Sequence, residues 1–205
     1  MAGKKLIMFD FDGVLVNTLA MAYGINTEVD KELTLPQYRA LFNGNIAQMV
    51  KKTGFTGNPD FYRRYAEEAR TITVPAEMKD LVRLFAKNYT LSIVSGSPTS
   101  AIREILQNEN IIECFSDVLG YDVDESKVVR IKMLLSQYAV DPKETVFITD
   151  TAGDVFEAAE CSVRSIAVTW GYQDKETLSR AEPMVFADSA TELTAAVEEF
   201  FSGTM

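Results

Sequence analysis

The sequence predicts an α/β protein, a doubly wound parallel sheet with a small helical block inserted after the first strand. Three observations carry that expectation. Short apolar runs alternate with helical patterns over most of the chain, as they do where helices cover a parallel sheet. From residue 18 to residue 74 the alternation stops and only helical patterns are found. Separate apolar runs end in an acid or a hydroxyl, at the strand ends where open parallel sheets bind ligands.

The elements follow in chain order. Leu6, Ile7, Met8 and Phe9 form an apolar run expected to be a strand over 6–11. Helical patterns around 19–28, 36–41, 46–52 and 61–70 come next, punctuated by Gly44, Gly54, Gly57 and Pro59. A helix over most of 75–87 then leads to strands at 90–95, 117–120, 145–149 and 164–168, with a weaker sixth at 184–186. Helices at 99–107, 126–138 and 152–161 separate them. In the final helix, 191–201, Leu193, Ala196, Val197 and Phe200 repeat at helical spacing. Two domains are expected: an α/β core from 1–17 and 75–205, and a helical cap from 18–74 hinged near 16–19 and 71–75.

Composition narrows the chemistry. With 205 residues, 47% of them hydrophobic, the chain can bury a core without disulfide or metal staples. It has no histidine, which excludes Ser-His-Asp and Cys-His nucleophiles and His-based zinc sites. Carboxylates, Lys, Ser or Thr, backbone amides and an oxygen-held metal remain. Cys114 and Cys161 lie far apart and are expected to be reduced thiols in a cytoplasmic protein. No leader is expected, because Lys4 and Lys5 precede an apolar run that Asp10 ends. The longest uncharged stretches, 13–27 and 88–102, contain too many polar residues to cross a membrane. A net charge of -10 disfavours nucleic acid and anionic lipid as partners.

The acids fall at one edge. The first apolar run ends in Asp10, with Asp12 and Gly13 just after; Leu91-Ser92-Ile93-Val94 ends in Ser95-Gly96-Ser97; Val146-Phe147-Ile148-Thr149 ends in Asp150, with Asp154 one helical turn on. Taken singly, each acid reads as a helix cap or a turn residue, and Asp154 as a first-turn acid favoured by the helix dipole. Together they read differently. Two unit negative charges about 4 Å apart repel by about 4 kcal/mol at an effective dielectric of about 20. A cation among Asp10, Asp12, Asp150 and Asp154 would offset that repulsion. All-oxygen ligands favour Mg²⁺ over zinc, with Ca²⁺ physically open.

These residues match a known pattern. Asp10-Phe11-Asp12-Gly13-Val14-Leu15-Val16-Asn17-Thr18 resembles the first signature of the haloacid dehalogenase-like (HAD) hydrolases. Ser95 resembles their second motif, and Asp150-Thr151-Ala152-Gly153-Asp154 their fourth. Val168-Thr169-Trp170-Gly171-Tyr172 looks like the fifth-strand ending of phosphoglycolate phosphatase-like members. The third motif needs a Lys in between; Lys127 is assigned, with Lys132 as its competitor. Lys127-Val128 stands where relatives often have Lys-Pro, Asn17 where many carry an acid, and Thr149 where Gly often precedes the fourth-motif Asp.

The resemblance implies a Rossmann-like, HAD-like core with a small helical cap, Mg²⁺ as cofactor and an aspartyl-phosphate mechanism. Asp10 would be the nucleophile and Asp12 the acid and base. Ser95 and the Gly96 amide would hold phosphoryl oxygens, with Lys127 neutralising charge. The expected metal set is Asp10, Asp12 (through its backbone carbonyl), Asp150 and Asp154, the last orienting metal-bound water or Lys127. Asp12 favours phosphoryl chemistry, since dehalogenase and phosphonatase branches lack it. Gly13 and Gly96 are expected where the backbone turns sharply and approaches phosphate.

The expected function is hydrolysis of a small phosphate ester, phosphoglycolate or a small sugar phosphate, by a monomer or homodimer. One alternative is a phosphosugar mutase or phosphotransferase of the same fold, although the best-known mutase branch uses a His that this chain lacks. The other is a non-catalytic phosphoacceptor or binding module. Receiver domains carry their acids as an adjacent pair and have no lid, unlike Asp10 and Asp12 here. Arg39, Asn45, Lys51, Lys52, Arg63 and Arg64 are the cap candidates for contacting an anionic or polar leaving group; each taken singly also reads as an ordinary solvated side chain on a helix surface.

Overall fold

Apolar segments too short for helices became the strands β1 (Leu6–Phe9), β2 (Thr90–Val94), β3 (Asp117–Leu119), β4 (Thr145–Thr149), β5 (Arg164–Val168) and β6 (Val185–Ala187). In the computed structural model they run parallel in one sheet, ordered β3-β2-β1-β4-β5-β6. The described residues are 5–124 and 126–203; Lys4, Glu125 and the outermost ends of the expected core lie outside them. The helices are α1 (Leu19–Thr27), α2 (Leu35–Ala40), α3 (Ile46–Thr53), α4 (Phe61–Glu68), α5 (Ala76–Phe85), α6 (Thr99–Asn108), α7 (Lys127–Tyr138), α8 (Ala152–Ala159), α9 (Lys175–Ser179) and α10 (Ala190–Ser202).

Both faces of β1 are covered, which is why its sequence is apolar without alternation. Ile7 and Phe9 point into a cluster with Val82 of α5, Ile102 of α6 and Val197 of α10. Leu6 and Met8 point the other way, onto Ile131 and Leu134 of α7 and Ala158 of α8. Phe9 lies opposite both Ile93 and Ile148, so Asp10, Ser95 and Asp150 leave the sheet at one level. The winding reverses at β1 and β4, the crevice where open sheets of this order bind ligands.

The block between β1 and α5 contains α1 to α4 and, among the described residues, no strand. Its helices start on readable signals: Thr34 and Gln37 form a capping box that spans Pro36, and the Asn45 side chain accepts from the Gln48 amide. Ala22, Leu33, Tyr38 and Leu41 form a cluster with Tyr172, which follows β5. Ile25, Tyr65 and Ala69 join the main core cluster instead. The block therefore rests on the sheet edge through buried side chains.

Element ends differ from expectation by one or two residues, as helix and strand ends commonly do. β1 stops at Phe9 because the chain after Asp10 turns, and β6 sits one residue later than the 184–186 run. One helix, α9, had no periodic signal. It is five residues long with one buried side chain, Leu178, and starts where Asp174 accepts from the Thr177 amide at 2.8 Å.

Candidate active site

The site grows from the loop after β1. The Asp10 amide donates to the Ile148 carbonyl at 2.8 Å, continuing the β1–β4 pairing, and the Gly13 amide then closes a turn on Val16 at 2.8 Å. Gly13 has φ +75°, and a Cβ there would meet Asp150 Oδ2 at 1.9 Å; at Gly171 it would meet the same oxygen at 2.2 Å. Two glycines thus let backbone close over Asp150. Gly96 behaves otherwise: its φ is not left-handed and a Cβ there would meet no protein atom within 4 Å.

Lys127, at the start of α7, reaches both Asp10 Oδ2 (2.9 Å) and Asp154 Oδ2 (2.7 Å). Lys132, five residues on, faces solvent, because five residues rotate a helix well away from its starting face. Asp154 Oδ2 also accepts from Thr149 Oγ1 at 2.7 Å; the Thr that departs from the family's usual Gly holds this acid. Asp10 Oδ1 accepts from the Phe11 amide at 2.7 Å, and Asp150 Oδ2 from the Tyr172 amide at 2.6 Å. Asp150 Oδ1 is buried with no hydrogen-bond partner.

Burial governs the charges. It pushes the Asp10 carboxyl well up, against Lys127 and with help from Asp154 and Asp150. It lifts Asp150 to about 7, with the Tyr172 amide opposing. For Lys127, burial acts downward, but Asp10 and Asp154 outweigh it and hold the ammonium charged. Burial likewise works against ionised Asp154, yet Lys127 and the hydrogen bonds around it bring its pKa below the usual range.

Asp12 faces a different set of partners. Its Oδ1 accepts from Thr18 Oγ1 and from Tyr65 Oη, each at 2.6 Å, and its Oδ2 from Ser97 Oγ at 2.6 Å and Ser95 Oγ at 3.3 Å. Thr18 Oγ1 is also 3.1 Å from Tyr172 Oη. Ser95, fully buried, accepts from the Ser97 amide at 3.2 Å. Gly96 and Ser97 line the cavity beyond.

Of the expected metal set, Asp12 is to act through its backbone carbonyl and the other three acids through their side chains. Asp154 is turned to Lys127 and Thr149, Asp12 to hydroxyls, and among the described residues no three acids form a chelating group. Asp10 and the unpartnered Oδ1 of Asp150 remain. Two carboxylates with hard oxygen donors suit Mg²⁺, which takes few protein ligands and completes its shell with water and phosphate. The orphaned buried oxygen is the feature of this site that fits a cation.

Sequence reasoning missed several groups that the fold delivers. Ser97 was visible in Ser95-Gly96-Ser97, but nothing distinguished its hydroxyl. Tyr65 comes from α4, far along the chain from Asp12, with no local signal. Arg130, one helical turn after Lys127, is buried and donates to the carbonyls of Ser95, Leu119 (3.1 Å) and Ser126 (3.4 Å), pinning the ends of β2 and β3 to α7. Its i, i+3 spacing from Lys127 was the available clue. A cavity of about 430 Å³ opens above these groups, roofed by the helical block. Of the six expected cap residues only Asn45 lines it, donating to Glu157 Oε1 at 2.9 Å.

The chain is similar to known proteins over most of its length. The family model described as "Haloacid dehalogenase-like hydrolase" matches residues 7–168. A phosphoglycolate phosphatase of Vibrio vulnificus is 25% identical over 92% of this chain and 94% of its own length. One from Pasteurella multocida is 28% identical over 93% and 97%. Among solved structures, a haloacid dehalogenase-like family hydrolase from Streptococcus pneumoniae superposes with a TM-score of 0.77 at 22% identity, covering 96% of this chain and 99% of that one.

Proposed function

The chain belongs to the haloacid dehalogenase-like hydrolase family, and from that premise we propose that it is a Mg²⁺-dependent phosphatase acting on a small phosphorylated metabolite. The observation that carries this reading is the position of Asp10. It follows the last residue of β1, its carboxylate accepts from Lys127 and feels the charge of Asp150, whose Oδ1 is unpartnered, and Asp12 is two residues away. The phosphatase names of the relatives support the same class.

Asp10 attacks phosphorus and the ester P–O bond breaks, leaving phosphate covalently on the Asp10 carboxylate. Asp12 gives a proton to the departing oxygen, then takes one from the water that releases phosphate. Its four hydroxyl partners fix the direction in which it points. Gly96 and Ser97 line the cavity, and the Gly96 amide, with the Ser97 and Ser95 hydroxyls once they turn from Asp12, would receive phosphoryl oxygens, while Lys127 balances the charge that develops there. Asp10, Asp150 and the Asp12 carbonyl would hold Mg²⁺, whose charge when bound lowers the repulsion between carboxylate and phosphate. Asp154 acts by holding Lys127. Residues 18–74 serve as a cap that shelters the reaction from water.

The test is hydrolysis of para-nitrophenyl phosphate with Mg²⁺ and then with excess chelator, beside an Asp10→Asn control. Metal-dependent release that the control lacks supports the proposal. Release that persists in Asp10→Asn overturns the role of Asp10.

A further inference from the structure

We propose that the cavity selects phosphate esters whose organic part is uncharged and apolar, and discriminates against anionic ones such as phosphoglycolate; this deepens, and rests on, the phosphatase reading. The cavity has two unlike ends. Its floor carries Asp10, Asp12, Ser97 and Lys127, whereas the helical block contributes Phe42, Ile46, Val50, Phe55, Phe61 and Tyr62. An ester bound with phosphate on the floor therefore lays its organic group against aromatic and aliphatic surface.

The block supplies no counter-charge to that wall. Among the described residues, the cations lining the cavity are Lys127 and Arg130, both from α7. Lys127 is held between Asp10 and Asp154, and Arg130 donates to backbone carbonyls. Arg63 pairs with Asp60 and Glu67 along its own helix. Arg64 pairs with Glu28 and Glu68. Lys51 and Lys52 are exposed at the end of α3, and neither they nor Arg39 line the cavity. The acids are there, however: Asp12, Asp154 and Glu157 all face it.

A carboxylate on the organic part would thus lose water against rings, meet no cation from the helical block, and share the cavity with Asp12, Asp154 and Glu157. An uncharged ring or alkyl group meets the opposite conditions, since covering those ring faces removes apolar surface from water. Asn45 and Asn58, which also line the cavity, offer neutral hydrogen bonds and no charge. Of the cap candidates, Arg63 and Arg64 are held by surface acids, Arg39 lies off the cavity, and Lys51 and Lys52 lie on the outer end of their helix.

The experiment uses the whole protein with Mg²⁺ and compares kcat/KM for phenyl phosphate, 4-carboxyphenyl phosphate, phosphoglycolate and phosphocholine. Phenyl phosphate is expected to exceed its carboxylated analogue and phosphoglycolate by about tenfold or more. Val50→Arg, which places a cation on the wall, is expected to narrow that ratio by raising the carboxylated ester. Carboxylated esters turned over as fast as phenyl phosphate would overturn the inference while leaving the phosphatase reading standing. Phosphocholine as the fastest ester would overturn it in favour of a cationic leaving group. Turnover of no ester by the wild-type protein would sink the phosphatase reading itself. A folded Val50→Arg with an unmoved ratio would remove the cap wall as the source of discrimination, and if that variant does not fold, the wild-type ratio decides.

Discussion

Tyr65 Oη stands 2.6 Å from Asp12 Oδ1, so a side chain from α4 donates directly to an acid of the β1 loop. Tyr65 is buried, and burial together with Asp12 pushes its phenol well above the usual range, keeping the hydroxyl a donor. The helical block and the core are joined at Asp12 itself, the group proposed as acid and base. Removing the block's contact would therefore change Asp12 as well as the cavity roof.

Tyr65→Phe isolates that bond, since the ring and its packing on Phe61 are kept. Hydrogen bonds to charged groups contribute about 1.5–3 kcal/mol, so kcat is expected to fall about tenfold or more, with a smaller change in KM. Steady-state kinetics on one ester checks this. An unchanged kcat would reduce Tyr65 to a packing residue.

Asp10→Asn should abolish turnover while leaving the fold intact, because the amide matches the carboxylate in volume and cannot act as the nucleophile. Circular dichroism and thermal unfolding beside the activity assay distinguish loss of chemistry from loss of structure.

Lys127→Met tests the buried cation. It leaves Asp10 and Asp154 close together without their shared partner, and breaking a buried ion pair by removing one side destabilises by about 3–5 kcal/mol. Lys132→Ala, on the exposed face, should change stability by no more than about 0.5 kcal/mol and leave turnover as it was. Urea unfolding of both variants decides between the two lysines.

The stability of the metal-free protein should fall as pH rises. Asp150 titrates near 7 when folded, against 3.8 as its ordinary value, so the folded state binds more protons between those limits and stability declines across that window. Asp10, also raised, adds to the same slope. Mg²⁺ on these carboxylates should restore the lost stability at neutral pH. Thermal unfolding from about pH 5 to about pH 8, with chelator and with Mg²⁺, measures both effects. A flat metal-free profile would argue against the charge burial described for Asp150.

The sequence by itself determined the alternation that makes a parallel sheet, the interruption after β1, and the delivery of Asp10, Ser95 and Asp150 to one edge. These are local properties: an apolar run, a turn residue and an acid placed just beyond it. The helix start that brings Lys127 to the acids was also legible, since position along a helix sets its face. Tertiary structure alone decided the rest. It turned Asp154 to Lys127 and Thr149, gave Asp12 four hydroxyl partners from three parts of the chain, and left one oxygen of Asp150 without a partner. It also drew Arg63 and Arg64 onto surface acids and away from the cavity. Each of these depends on which distant groups share a buried volume, and burial sets what a charge or hydroxyl does there. A one-dimensional pattern carries the residue types but not those distances.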